Sequence, residues 1–213
     1  MLKSRSEIVN RIAAVAGALL LCSCSGETGD AVATSETSTA DDFNYISVSD
    51  GRISTVHGVN YEIAAPDSFD ATEVKNREDN FDGTPYKISL AALIGKDSAL
   101  MIHAETVADL SEASDYSNLP ESAWPDENFR SRGHVCMEVP PEAIEGEHDL
   151  EWLRSNGFNP VGVILLEQFF ATTADMNKEI VLSILIKMPA CDDEAANKNA
   201  ISEFQAEVSI SKS

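Results

Sequence analysis

Basic residues are scarce in this chain. Its 213 residues include 15 lysines and arginines against 36 aspartates and glutamates, a formal net charge of −21 at neutral pH. A surface this negative repels nucleic acid and anionic lipid headgroups, so neither is an expected partner. The plain reading of the charge is solubility; a cationic partner or divalent ions are the sharper one. Cysteine is sparse too, with Cys22 and Cys24 near the start and Cys136 and Cys191 far along the chain. Neither of the later two sits in a Cys-x-x-Cys arrangement, which weighs against a redox-active or zinc site. The sequence lacks a Gly-x-Ser-x-Gly elbow, a glycine-rich phosphate loop and a His-Glu-x-x-His motif. Its four histidines, His57, His103, His134 and His148, show no metal-ligand spacing. No catalytic residue, metal or cofactor is therefore assigned. The apolar run over 12–21 falls short of the about 20 residues a membrane-spanning helix needs.

What the chain does have begins at its start. Lys3, Arg5 and Arg11 precede that apolar run, and Leu21-Cys22-Ser23-Cys24-Ser25-Gly26 follows it. A basic stretch, a short apolar stretch and then small residues make a secretory signal peptide over 1–23. Leu21-Cys22-Ser23-Cys24 also resembles the lipobox of bacterial lipoproteins. The resemblance implies that a cysteine receives a diacylglycerol and becomes the first residue of the mature protein. Cys24 fits, with small Ser23 before it and Leu21 three residues back; Cys22 is preceded by bulky Leu21. Each lipid methylene buried in a bilayer contributes about 0.8 kcal/mol, so several chains hold a domain at a membrane. Ser25, in place of aspartate, implies sorting to the outer membrane with the domain facing the periplasm, if the source is Gram-negative. An ordinary secretory signal cleaved nearby is the alternative. Residues 1–23 carry three basic groups and one acidic group, so the remainder has a net charge of −23.

Residues 24–42 are small, hydroxylated and acidic, without an aromatic. Such a segment cannot bury enough apolar surface to offset its ordering entropy, and reads as a disordered tether. Residues 43–213 are enough for a single domain with one buried core. Export to an oxidising compartment favours a Cys136–Cys191 disulfide, with two buried free thiols as the alternative.

Alternating runs on either side of Asp50-Gly51 predict a tight hairpin. A third strand follows over 59–64, and the polar stretch 67–85 reads as a connection. Strands are expected over 86–92 and 99–107, turned at Gly95-Lys96-Asp97. Residues 109–134 read as irregular, with a short helix over 127–132, then a short strand over 135–139. A helix over 149–156 should turn Leu150 and Leu153 inward and end at Gly157. Strands over 161–172 and 180–188 form another hairpin, the second apolar on both faces and hence central in a covered sheet. Ala196, Ala200, Ile201, Phe204 and Val208 recur at helical spacing over 192–208. The expected class is α+β: a mainly antiparallel sheet built from hairpins, with a short helix and a C-terminal amphipathic helix packed on one face. Over 58–210 this order of elements resembles the Mog1/PsbP-like domains of several bacterial lipoproteins, which implies a curved sheet flanked by helices but no particular function.

Several residue groups are candidates for chemistry. His103 and Glu105 stand two apart on a strand and share a face, where they form a candidate polar site for a metal or for acid–base work; a solvated strand face is the other reading. Glu78, Asn80, Asp82 and Gly83 resemble the first half of an EF-hand loop, but Pro85 and Ser89 break the pattern and favour an acidic turn. His134 lies two residues from Cys136, a dyad that a disulfide would preclude. Trp124, Trp152, Phe129, Phe158 and Tyr116 are candidates for a binding groove or for core. The function expected is a non-enzymatic, membrane-anchored lipoprotein of the bacterial envelope whose periplasmic domain binds an envelope protein. An envelope hydrolase working around His103 and Glu105 or His134, and a lipoprotein binding a small ligand between sheet and terminal helix, are the alternatives.

Overall fold

A computed structural model of the chain describes residues 43–81, 84–108 and 115–213. The expected signal peptide over 1–23, the expected lipid site at Cys24 and the expected tether over 24–42 lie outside the described residues. The strands among the described residues are β1 (Ile46–Ser49), β2 (Arg52–Thr55), β3 (Tyr61–Ala64), β4 (Asp70–Ala71), β5 (Lys75–Phe81), β6 (Thr84–Ile94), β7 (Ser98–Val107), β8 (Arg130–Val139), β9 (Gly162–Thr172), β10 (Lys178–Lys187) and β11 (Ser209–Lys212). The α-helices among the described residues are α1 (His148–Ser155) and α2 (Glu194–Glu207). The architecture is α+β and dominated by antiparallel strands.

The strands form two sheets where one was expected. The smaller has the order β1-β2-β3-β11. The larger runs β4-β6-β7-β10-β9-β8, with β5 beside β4 along the outer edge of β6. The hairpin between β1 and β2 turns on Asp50 and Gly51, at φ of +52° and +72°, the paired left-handed conformation that a two-residue hairpin loop demands. In β10, Ile180, Leu182 and Ile184 face one way and Val181 and Leu185 the other, and all five are buried. That is the signature of a central strand covered on both sides.

The first face of the large sheet carries Leu100, Ile102, Leu165, Phe169, Leu182 and Ile184. These residues share one core with Ile46, Ile53 and Ile63 of the small sheet and with Ile201 and Phe204 of α2. Phe204 meets Phe69 edge-on, their ring centroids 5.9 Å apart. Phe69 in turn presses on the β6–β7 turn at Gly95, where a β-carbon would sit 2.8 Å from its ring; the glycine is there for close approach. The Cys136–Cys191 disulfide ties β8 to the segment leading into α2, across a sequence separation of 55.

The second face carries Ile88, Leu90, His103, Glu105, Val181 and Phe170, set by the register of β6, β7, β10 and β9. The first turn of α1 meets this face, and Leu150, Trp152 and Leu153 of α1 are buried. The helix stops at a Schellman motif: Gly157, at φ +101°, donates to the carbonyl of Arg154 while Phe158 donates to that of Leu153. At the start of α2, the Asp193 carboxylate accepts a hydrogen bond from the Ala196 N–H at 2.9 Å. Asp193→Ala is expected to destabilise the domain by about 1 kcal/mol in urea unfolding, and Asp193→Asn to retain most of the stability, because the cap needs only a short side-chain acceptor.

Two local expectations are corrected. The polar stretch 67–85 contains β4 and β5; β5 is an edge strand, where charged side chains discourage pairing with other chains and leave no apolar pattern to read. No helix forms over 127–132, because Arg130 already pairs with Phe170 as the start of β8. That strand bulges between Ser131 and His134, where Gly133 takes φ +85°. The chain beyond α2 is also structured, since β11 pairs with β3 and completes the small sheet.

Candidate functional site

His103 and Glu105 point out of β7 on the second face, and α1 lies over them. Neither is solvated: His103 is 9 % exposed and Glu105 7 %. Nδ1 of His103 is 3.1 Å from Oε1 of Glu105, and its Nε2 is 3.6 Å from Oδ2 of Asp149 in the first turn of α1. Asp149 also accepts a hydrogen bond from the guanidinium of Arg77 on β5, whose Nε is 3.6 Å from Asp79. Glu179 on β10 is the cross-strand partner of Glu105 and accepts a hydrogen bond from the Tyr116 hydroxyl at 2.5 Å. Tyr116 stacks on Phe170, ring centroids 4.5 Å apart. Five separate chain segments thus deliver charged or hydroxyl groups to one interior patch.

The electrostatics follow from burial opposed by partners. Burial alone would lower the affinity of His103 for its proton, but Asp149 and Glu105 outweigh it and hold the imidazole above its ordinary value. Burial alone would raise Asp149, yet His103 and Arg77 keep its carboxyl below the usual range. His103 and Arg77 both face Asp149, and such buried ion pairs are costly to break because the survivor remains an uncompensated charge. The patch is built to join α1 to the sheet.

His57 and His134 have other engagements. His57 is buried and stacked on Tyr45, and its Nε2 donates to the carbonyl of Glu179 at 2.8 Å; burial pushes its proton affinity down. His134 pairs with Glu194 at the start of α2, with Nε2 3.2 Å from the carboxylate. Nearby, Ser131 donates its hydroxyl to Glu167 at 3.0 Å and not to His134, so these residues do not form a nucleophile–base pair. Cys136 is in the disulfide, which removes it as a partner for His134. Glu78 and Asn80 lie on β5, and Glu78 reaches Lys87 at 3.7 Å. Asp82 and Gly83, the rest of the EF-hand-like stretch, lie outside the described residues. Ser209 and Lys212 stand at Ser-x-x-Lys spacing, but on β11 residues three apart point to opposite faces, so the pair cannot act together.

The five aromatics divide between locations and do not line one groove. Trp124 packs on Phe169 and Phe129 on Tyr61, both on the first-face side. Tyr116 is on the second face, and Trp152 is buried on α1. Phe158 is buried just beyond α1, under the Lys187 ammonium.

Among the described residues, no group of three or more His, Cys, Asp or Glu side chains is placed to hold a metal ion. Nor is any helix among them long and apolar enough to cross a membrane. Comparison with known proteins found no match among protein-family models, curated proteins or solved structures.

Proposed function

We propose that the chain is a lipid-anchored envelope protein whose domain works by binding another envelope protein and not by catalysis. The observation that carries the anchor is Leu21-Cys22-Ser23-Cys24 behind a basic, then apolar start. The Cys136–Cys191 bridge supports the same reading, because disulfides persist in oxidising, exported compartments. What supports binding over hydrolysis is the commitment of His103 and Glu105 to interior ion pairs, where a substrate would have to displace α1. An outer-membrane location facing the periplasm belongs to this proposal, as does α2 acting as a C-terminal amphipathic lid on one sheet face.

Labelled fatty acid should enter the wild-type protein in cells and be absent from Cys24→Ala, which should accumulate as unprocessed precursor. Continued labelling of Cys24→Ala would move the anchor elsewhere. For binding, cross-linking in intact envelopes should trap the protein in a discrete heteromeric adduct; recovery as uncross-linked monomer alone would overturn the partner-binding reading.

A further inference from the structure

Each ring nitrogen of His103 faces a carboxylate: Nδ1 is hydrogen-bonded to Glu105 within β7 at 3.1 Å, and Nε2, buried without a hydrogen bond, is 3.6 Å from Asp149 on α1. A neutral imidazole carries one N–H, so it would turn a bare lone pair toward one of those two anions; only the doubly protonated ring suits both. We propose that His103 is a proton-operated clasp, in which the charged ring holds α1 to the second sheet face and loss of its proton loosens that helix.

The groups around the ring support this assignment. From β7 comes Glu105, with His57 near it; from α1 come Asp149 and, beside it, His148; and from β5 come Arg77 and Asp79. Glu179 on β10 pairs across to Glu105 and receives the Tyr116 hydroxyl. The nearest residues across the register from His103, Leu90 on β6 and Val181 on β10, are apolar. Among the described residues, Asp149 and Glu105 are the carboxylates facing the ring, and Arg77 shares Asp149 with it. Deprotonating the ring removes the positive charge between Asp149 and Glu105, inside a region that water enters poorly.

The direction of the response follows from the two opposed shifts. His103 is held above its ordinary value of 6.5, so its contribution is fully present below that pH and is lost as pH rises through the folded-state value. Asp149 is held below its ordinary value of 3.8, so its contribution disappears only in strong acid. The clasp is closed between these limits and opens on the alkaline side.

The test is amide exchange of the full-length protein, corrected for the intrinsic pH dependence of exchange. On going from pH 6 to pH 9.5, peptides covering α1 should lose at least about tenfold in protection, equivalent to about 1.4 kcal/mol of local opening, while peptides from β10 hold theirs. His103→Gln should give a loosened α1 at both pH values. Leu153→Ala, which weakens helix packing without touching the charges, should loosen α1 yet keep the pH response. Should His103→Gln fail to fold, ring nitrogen NMR of the wild type decides: both nitrogens of His103 should carry protons at pH 6. A neutral tautomer there, flat α1 protection up to pH 9.5, or an unchanged pH response in His103→Gln would each overturn the clasp.

Discussion

Asp149→Ala should destabilise the domain by about 3–5 kcal/mol, the range found when one partner of a buried ion pair is removed. The side chains of Arg77 and Asp149 are only 15 % and 21 % exposed, so water cannot readily replace the lost carboxylate. Deleting it takes from Arg77 its hydrogen-bonded carboxylate and from His103 the anion that faces Nε2. The measurement is the shift in urea midpoint at unchanged slope. A paired substitution, Arg77→Met with Asp149→Leu, should recover most of the loss, because it removes both charges and fills the space with apolar atoms. A loss under about 1 kcal/mol for Asp149→Ala would place the pair in the class of solvated surface bridges and remove its structural role.

Breaking the disulfide should have an effect of similar size. The bridge closes a separation of 55 residues, which in the chain-entropy model restricts the unfolded ensemble by about 4 kcal/mol. For a domain of this size that corresponds to a fall in Tm of about 8–16 °C. Reduction, or Cys191→Ser with Cys136→Ser, should show it in thermal unfolding followed by circular dichroism. The folded state also loses a restraint, since the bridge fixes an edge strand of the large sheet to the segment that launches α2. If the transition is the same with and without reductant while both thiols become alkylatable, the bridge carries no stability.

The elements that can be read from the sequence are those whose pattern is local and apolar. Asp50-Gly51 marks its hairpin through backbone chemistry alone, and β10 declares its central position by being apolar on both faces. Strand β5 cannot be found this way: Lys75-Asn76-Arg77-Glu78-Asp79-Asn80 has no apolar face, and it is a strand because β6 offers it a hydrogen-bonding edge. Residues 130–132 look helical in isolation and are pulled into β8 by pairing with β9. The interior charge patch divides in the same way. His103 and Glu105 share a face by simple alternation, but Arg77, Asp149, Glu179 and Tyr116 reach them through tertiary contacts between distant segments. Asn197, buried at 2 % exposure on the inner side of α2, had no apolar signal to mark it.

The pairing of β11 with β3 places Ile210 opposite Ile63, so the small sheet is closed by strands from opposite ends of the domain. Contacts this distant in sequence demand a large loop closure before they yield any stabilisation, which slows folding. A chain emerging from a translocation pore amino end first would hold β1, β2 and β3 exposed on its far side until residue 212 had also crossed. Their Ile46, Ile53 and Ile63 would meanwhile lack both the terminal strand and the large-sheet face that cover them. On the proposed export route, the interval between the appearance of β3 and the arrival of β11 is therefore when the chain most needs protection from aggregation.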